Sequence, residues 1–99
     1  MQVRIQSIHF NVSSQLESFI QKKVSKLELF FDDIKKVEVL LKVVKPETAE
    51  NKNVSIKVTI PSGELFAEKV KDSFEEATTE CTEALKIQIQ KFKEKQRNK

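Results

Sequence analysis

The feature that most constrains this chain is a strict one-sided alternation. Val54, Ile56, Val58 and Ile60 are separated by Ser55, Lys57 and Thr59, a period of two that describes a strand with one buried face and one wet face. The same pattern appears at Val3 and Ile5 between Gln2, Arg4 and Gln6, with Ile8 following. It returns at Val37, Val39, Leu41 and Val43 within 36–44, and at Leu65 and Ala67 on a run that reaches about Val70. Two other stretches change to helical spacing: Leu16, Phe19, Ile20, Val24 and Leu27, then Phe74, Ala77, Thr78, Cys81, Leu85, Gln88 and Phe92. The predicted order is β-α-β-β-β-α. A βαβ start requires a parallel pair, and the later strands join by hairpins. Because each strand is apolar on one side only, the expected fold is α+β, a four-stranded mixed sheet with both helices packed on one face.

Local signals mark the boundaries. Ser14 with Glu17 and Asp72 with Glu75 fit capping boxes for the two helices. The first helix is expected from 14 to about 30, where Phe30-Phe31-Asp32-Asp33 closes it. Residues 45–52 are polar and without period, and read as a mobile hairpin loop. Pro61-Ser62-Gly63 suits a tight turn between the last two strands.

Composition removes several classes of function. With 99 residues the chain supports one domain, read here as 1–99. One glycine leaves no glycine-rich phosphate loop, and one cysteine with one histidine cannot supply a zinc site built from two pairs of ligands. No apolar run nears the ~20 residues of a membrane helix, and no signal peptide opens the chain. The expectation is a cytoplasmic, membrane-free protein with no metal and no cofactor. Catalysis would have to rest on His9, set between a strand and a helix cap, or on Cys81, on the apolar stripe of the last helix. Neither has a partner at a motif spacing, so the chain is not expected to be an enzyme.

The lysines carry more information. Net charge is only +3, but residues 72–84 hold five acidic side chains and no basic one, while residues 86–99 hold six basic ones against Glu94. That polarity complements the helix dipole. On the first helix Lys22 and Lys26 share a flank beside Phe19, and Lys23 falls within the apolar stripe, where its stem lies on apolar surface while the amine reaches water. On the last helix Lys91 and Lys95 share one flank, and Lys86, Lys93 and Arg97 the other. Two helices on one sheet would bring these groups to one side, the footprint of nucleic-acid binding. The plain alternative is a solvated helix face. Outward strand positions (Lys36, Glu38, Lys42, Ser55, Lys57, Thr59, Glu68) include Phe66 as their one aromatic, which argues against a base-stacking sheet. The α-β-β-β-α portion is similar in order to a double-stranded-RNA-binding domain, but its last helix starts acidic where that fold is expected to start basic. Recognition of structured RNA by backbone and shape through the helices fits better.

Over nearly its whole length the chain resembles the ribosome hibernation promoting factor family, also called ribosome-associated inhibitors or sigma-54 modulation proteins. The resemblance runs through Met1-Gln2, Leu16, Lys23-Val24-Ser25-Lys26-Leu27-Glu28, Phe30-Phe31-Asp32, Val39-Leu40-Leu41-Lys42-Val43, Gly63-Glu64-Leu65-Phe66-Ala67, Asp72-Ser73-Phe74 with Ala77, Leu85 with Gln88, and Lys91-x-Lys93. It implies a non-catalytic inhibitor of translation in the bacterial cytoplasm. Such a protein binds the small ribosomal subunit and its rRNA between head and body, covering the mRNA channel and the A and P sites in stationary phase or stress. By position, the implied rRNA-binding residues are Lys22, Lys23, Lys26, Lys91 and Lys93. A basic residue common in the family before the Gln of the last helix is here Ile87, and Lys86 is taken in its place. The chain ends at Lys99 without the C-terminal domain by which long members join two ribosomes, and so resembles the short form. No small-molecule substrate is implied, and the free protein is expected to be a monomer. A rival reading is a small α/β protein-interaction module that uses the acidic half of the last helix with Leu40 and Phe66.

Overall fold

The computed structural model describes residues 1–45 and 50–97, with side chains as far as Lys95. Its elements are β1 (Gln2–Ser7), α1 (Ser14–Ser25) continued by a 3₁₀ turn (Lys26–Leu29), β2 (Lys36–Val43), β3 (Lys52–Ile60), β4 (Gly63–Lys71) and α2 (Phe74–Arg97). The sheet order is β1-β2-β3-β4. β1 pairs parallel with β2, and the other neighbours are antiparallel. The fold is the β-α-β-β-β-α sheet with two helices that the alternation predicts.

The alternation becomes the core directly. Val37, Val39, Leu41, Val54, Ile56 and Val58 are fully or almost fully buried against Ile20, Val24 and Leu27 from the first helix and Ala77, Cys81, Leu85 and Ile89 from the second. Burying the Val, Leu and Ile side chains among them contributes roughly 1.5–3 kcal/mol each. Pro61-Ser62 makes the β3–β4 turn, and Gly63 pairs with Ile60 at φ +154°, a conformation that favours glycine.

Three expectations need correction. Ser13, not Ser14, caps α1: its Oγ accepts from the Leu16 N–H at 3.1 Å. Ser73, not Asp72, caps α2 by accepting from the Glu76 N–H at 3.1 Å. In each case two adjacent residues are competent caps. On α2 the buried stripe runs through Ile89, while Gln88 sits at its margin and donates from Nε2 to the Phe66 carbonyl of β4 at 2.7 Å. The helix is turned so that a polar side chain meets the sheet edge there. Of the expected 45–52 loop, 46–49 lie outside the described residues. Val44 and Asn51 close it with a 2.8 Å backbone hydrogen bond, and Asn51 and Asn53 are buried.

Candidate nucleic-acid interface

The two helices pack side by side on the inner face of the sheet, and the basic side chains gather where they meet. Phe30, just past the 3₁₀ turn, is the point of convergence. Lys86 Nζ lies 4.8 Å from the centre of its ring, and Lys93 Nζ donates to its carbonyl at 2.9 Å. The first contact is a cation–π interaction. The second satisfies a carbonyl that the end of the helix leaves without an intrahelical partner. Lys86 and Lys93 stand seven residues apart, about 20° apart around the helix axis, which is why one residue of the neighbouring element can meet both.

Lys23 of α1 and Lys26 and Leu27 of the 3₁₀ turn line the same groove, together with Thr79, Thr82 and Glu83 of α2. Lys23 Nζ sits 5.6 Å from the Phe19 ring centre, its stem along the apolar surface as expected of a snorkelling side chain. Lys22 lies next to this groove, lining with Lys23, Lys26 and Phe19 a shallow surface along α1. The structure thus brings together Lys22, Lys23, Lys26, Lys86 and Lys93. Lys91 stands apart. It is about 140° around α2 from Lys86, exposed on the other flank of the helix. The side chain of Arg97 lies outside the described residues.

None of these six lysines forms an ion pair among the described residues. Three basic groups of the sheet and its edge, Lys36, Lys57 and Lys71, behave differently. Lys36 and Lys57 meet Glu38 at 3.4 and 3.5 Å, Lys57 also meets Glu64 at 3.6 Å, and Lys71 meets Glu80 at 3.2 Å. Desolvation works against ionisation of Glu38, but Lys36 and Lys57 together hold its carboxyl below the usual range.

Ile87, at the position where the family resemblance leads one to expect a basic residue, is 53% exposed. Lys86 does not take its direction, because it is turned onto Phe30. Sequence reasoning missed the role of Phe30, which it read only as the closing of a helix. The signal is invisible locally, since Lys93 is 63 positions away in sequence.

The two candidate catalytic residues are placed without partners for catalysis. His9 is exposed in the β1–α1 connection at φ 65°. Cys81 is fully buried, its Sγ donating to the Val54 carbonyl at 3.3 Å, and burial pushes its thiol up to about 12. At neutral pH it is a protonated core side chain rather than a nucleophile. Among the described residues no group of three or more His, Cys, Asp or Glu side chains is arranged to hold a metal ion, and no helix is long and apolar enough to cross a membrane.

A fold with one sheet, two helices on its inner face and an unpaired basic groove between them defines a class, and the comparisons agree on it. The family model described as sigma 54 modulation protein / S30EA ribosomal protein matches residues 3–97. The chain belongs to this family. A curated relative from Pseudomonas putida, named ribosome hibernation promoting factor, is 32% identical over 98 residues, covering 99% of this chain and 92% of its own length. Among solved structures, a ribosomal subunit interface protein from Coxiella burnetii superposes with a TM-score of 0.83 at 18% identity, over 94% of this chain and 98% of that one. The N-terminal domain of Thermus thermophilus Protein Y gives 0.78 at 18% identity, over 93% of this chain and 99% of that one. At such identity these two structures speak to the fold.

Proposed function

We propose that this chain is a ribosome hibernation factor. It binds the small ribosomal subunit through rRNA, seats its helix face in the channel between head and body, and inhibits translation by covering the mRNA path and the A and P sites. Its setting is the bacterial cytoplasm in stationary phase or stress. It acts as a single domain, by occupancy, without a catalytic step or a cofactor. Lys22, Lys23, Lys26, Lys86 and Lys93 contact rRNA phosphates, and Lys91 contributes from the other flank of α2. The observation that carries the reading is that the first five of these lysines cluster around one groove without an ion pair among the described residues, while Lys36, Lys57 and Lys71 of the sheet are tied to carboxylates. Membership of the family and the name of the Pseudomonas relative support the ribosome as the partner.

Co-sedimentation with purified bacterial ribosomes and separated subunits tests it. The protein should pellet with the small subunit and with whole ribosomes, and be released as salt rises, because each neutralised phosphate returns counterions to solution. Absence of pelleting at low salt overturns the reading and leaves the fold intact. Attention would then pass to Phe66, 52% exposed on the open sheet face beside Leu40, as the centre of a protein-binding surface.

A further inference from the structure

Glu83 is the exception in the basic groove. It lines the same depression as Lys23, Lys26 and Lys86, yet it forms no ion pair with any of them. On the sheet and along its edge, Glu38, Glu64 and Glu80 are each paired with a lysine at 3.2–3.6 Å. In the groove the lysines are held elsewhere: Lys86 over the ring of Phe30 and Lys23 over that of Phe19. Glu83 and Lys86, three residues apart on α2, thus share one wall of the depression without pairing, and both are open to solvent. Self-neutralisation, the cheapest use of these charges, is not the one adopted.

A phosphate fits the lysines but not Glu83, where it would meet a like charge. A ligand that satisfies both sides carries an anion and, a few ångströms away, a hydrogen-bond donor. Within RNA an unpaired nucleotide whose base bears an exocyclic amine offers that combination in a form that differs between bases, since unstacked bases offer their edges to side chains and carboxylates accept from such amines. We propose that Glu83 is a specificity-determining residue. It selects, in this groove, a nucleotide with an amine-bearing base while Lys23, Lys26 and Lys86 hold the flanking phosphate. This inference rests on the RNA-binding reading of the helix face and names what that face reads beyond charge.

Oligocytidylate and oligouridylate of equal length provide the test, because cytosine presents an exocyclic amine beside a bare ring nitrogen where uracil presents a carbonyl beside a ring N–H. At neutral pH and fixed salt, the protein should bind the cytidine oligomer roughly ten-fold more tightly. Glu83→Gln, on an exposed helix position, should bring that ratio close to one, since the amide also donates to the uracil carbonyl. Glu83→Asp, which keeps the charge but withdraws it by one methylene, should lower the ratio as well. Lys86→Gln should weaken both oligomers alike and keep the ratio. If Glu83→Gln tightens both oligomers equally, Glu83 merely dilutes the positive field and the proposal is overturned. A ratio near one for the unmutated protein that still binds both oligomers overturns it too, and leaves the phosphate-binding reading standing. Failure to bind either oligomer or the ribosome overturns both.

Discussion

The two faces of the molecule are built from the same kinds of side chain and use them in opposite ways. On the open sheet face, Lys36, Glu38, Lys57 and Glu64 form a row of ion pairs, and Ser55 and Asn53 both donate to Glu68 at 3.0 and 3.2 Å. On the helix face, lysines rest on aromatic rings or a backbone carbonyl and leave their charge uncompensated. Net charge does not distinguish these situations. What matters is whether a basic group already has an anion, because a paired lysine must give up its partner before it can neutralise a phosphate. Equal numbers of lysines therefore make unequal binding surfaces.

The severest way to break the comparison is to remove what holds both faces in place. Leu85 is fully buried between α2 and the sheet. Leu85→Ala should cost about 2–5 kcal/mol, seen as a large drop in the melting temperature followed by far-ultraviolet circular dichroism, with ribosome binding lost only in proportion to the unfolded fraction. If binding fell at temperatures where the variant is still folded, the helix face would depend on local geometry more finely than its charges suggest.

Charge reversal on each face is the sharper instrument. Lys22→Glu, Lys23→Glu and Lys26→Glu together should weaken ribosome binding on the order of a hundred-fold or more and flatten its salt dependence, with little change in melting temperature. Reversing Lys36 and Lys57 on the sheet should leave binding within a few-fold of the unmutated protein. Comparable losses from both sets would mean that pairing does not silence a lysine and that overall charge governs.

The strands were legible in the sequence because burial and exposure alternate along them without exception from Val54 to Ile60. The first helix begins at Ser14 as expected, but the caps were misplaced by one residue since Ser13 and Ser14, like Asp72 and Ser73, are neighbouring candidates, and only the packed helix chooses between them. Ile89 escaped because positions 88 and 89 both border a stripe running through Leu85. The sheet edge decides, by giving Gln88 the Phe66 carbonyl. For the interface, sequence alone located the lysines and their flanks. Helical spacing already set Lys91 on the other flank from Lys86 and Lys93; it could not find Phe30 as the meeting point, because that depends on how α1 and α2 lie against each other.

Between the faces lies Cys81, and its ionisation reads the integrity of the core. Burial raises its folded-state thiol to about 12, against about 8.5 in an unfolded chain. Below the unfolded value both states keep the proton and the contribution of burial is complete. As pH rises above it the unfolded state loses its proton first, and stability falls by up to about 1.4 kcal/mol per pH unit until the folded value is reached. Urea melts across pH 7 to 10 should show this decline, and Cys81→Ala should reduce its slope even if it lowers stability at every pH. Equal slopes would place the thiol in contact with water.

The smallest effect belongs to the sheet face itself. Glu38 is held below its usual carboxylate value by Lys36 and Lys57, against the opposing effect of desolvation, and Lys57 is raised in turn by Glu38 and Glu64. The depressed carboxylate stabilises the fold above its unfolded value, about 4.3, and loses that contribution as pH falls through the folded one. Because the pairs are exposed, solvent and salt screen them. Glu38→Gln should therefore shift the melting temperature only slightly at neutral pH, and less at high salt, while weakening the acid-side loss of stability. Its informative readout is binding. Freeing Lys36, while Glu64 still holds Lys57 at 3.6 Å, should add a small, salt-sensitive affinity for RNA oligomers on the sheet face, since the carboxylate that paired it is gone. If no such affinity emerges, pairing is not what separates the faces, and the advantage of the helices lies in their shape, with Lys86 and Lys93 anchored on Phe30 where two helices meet.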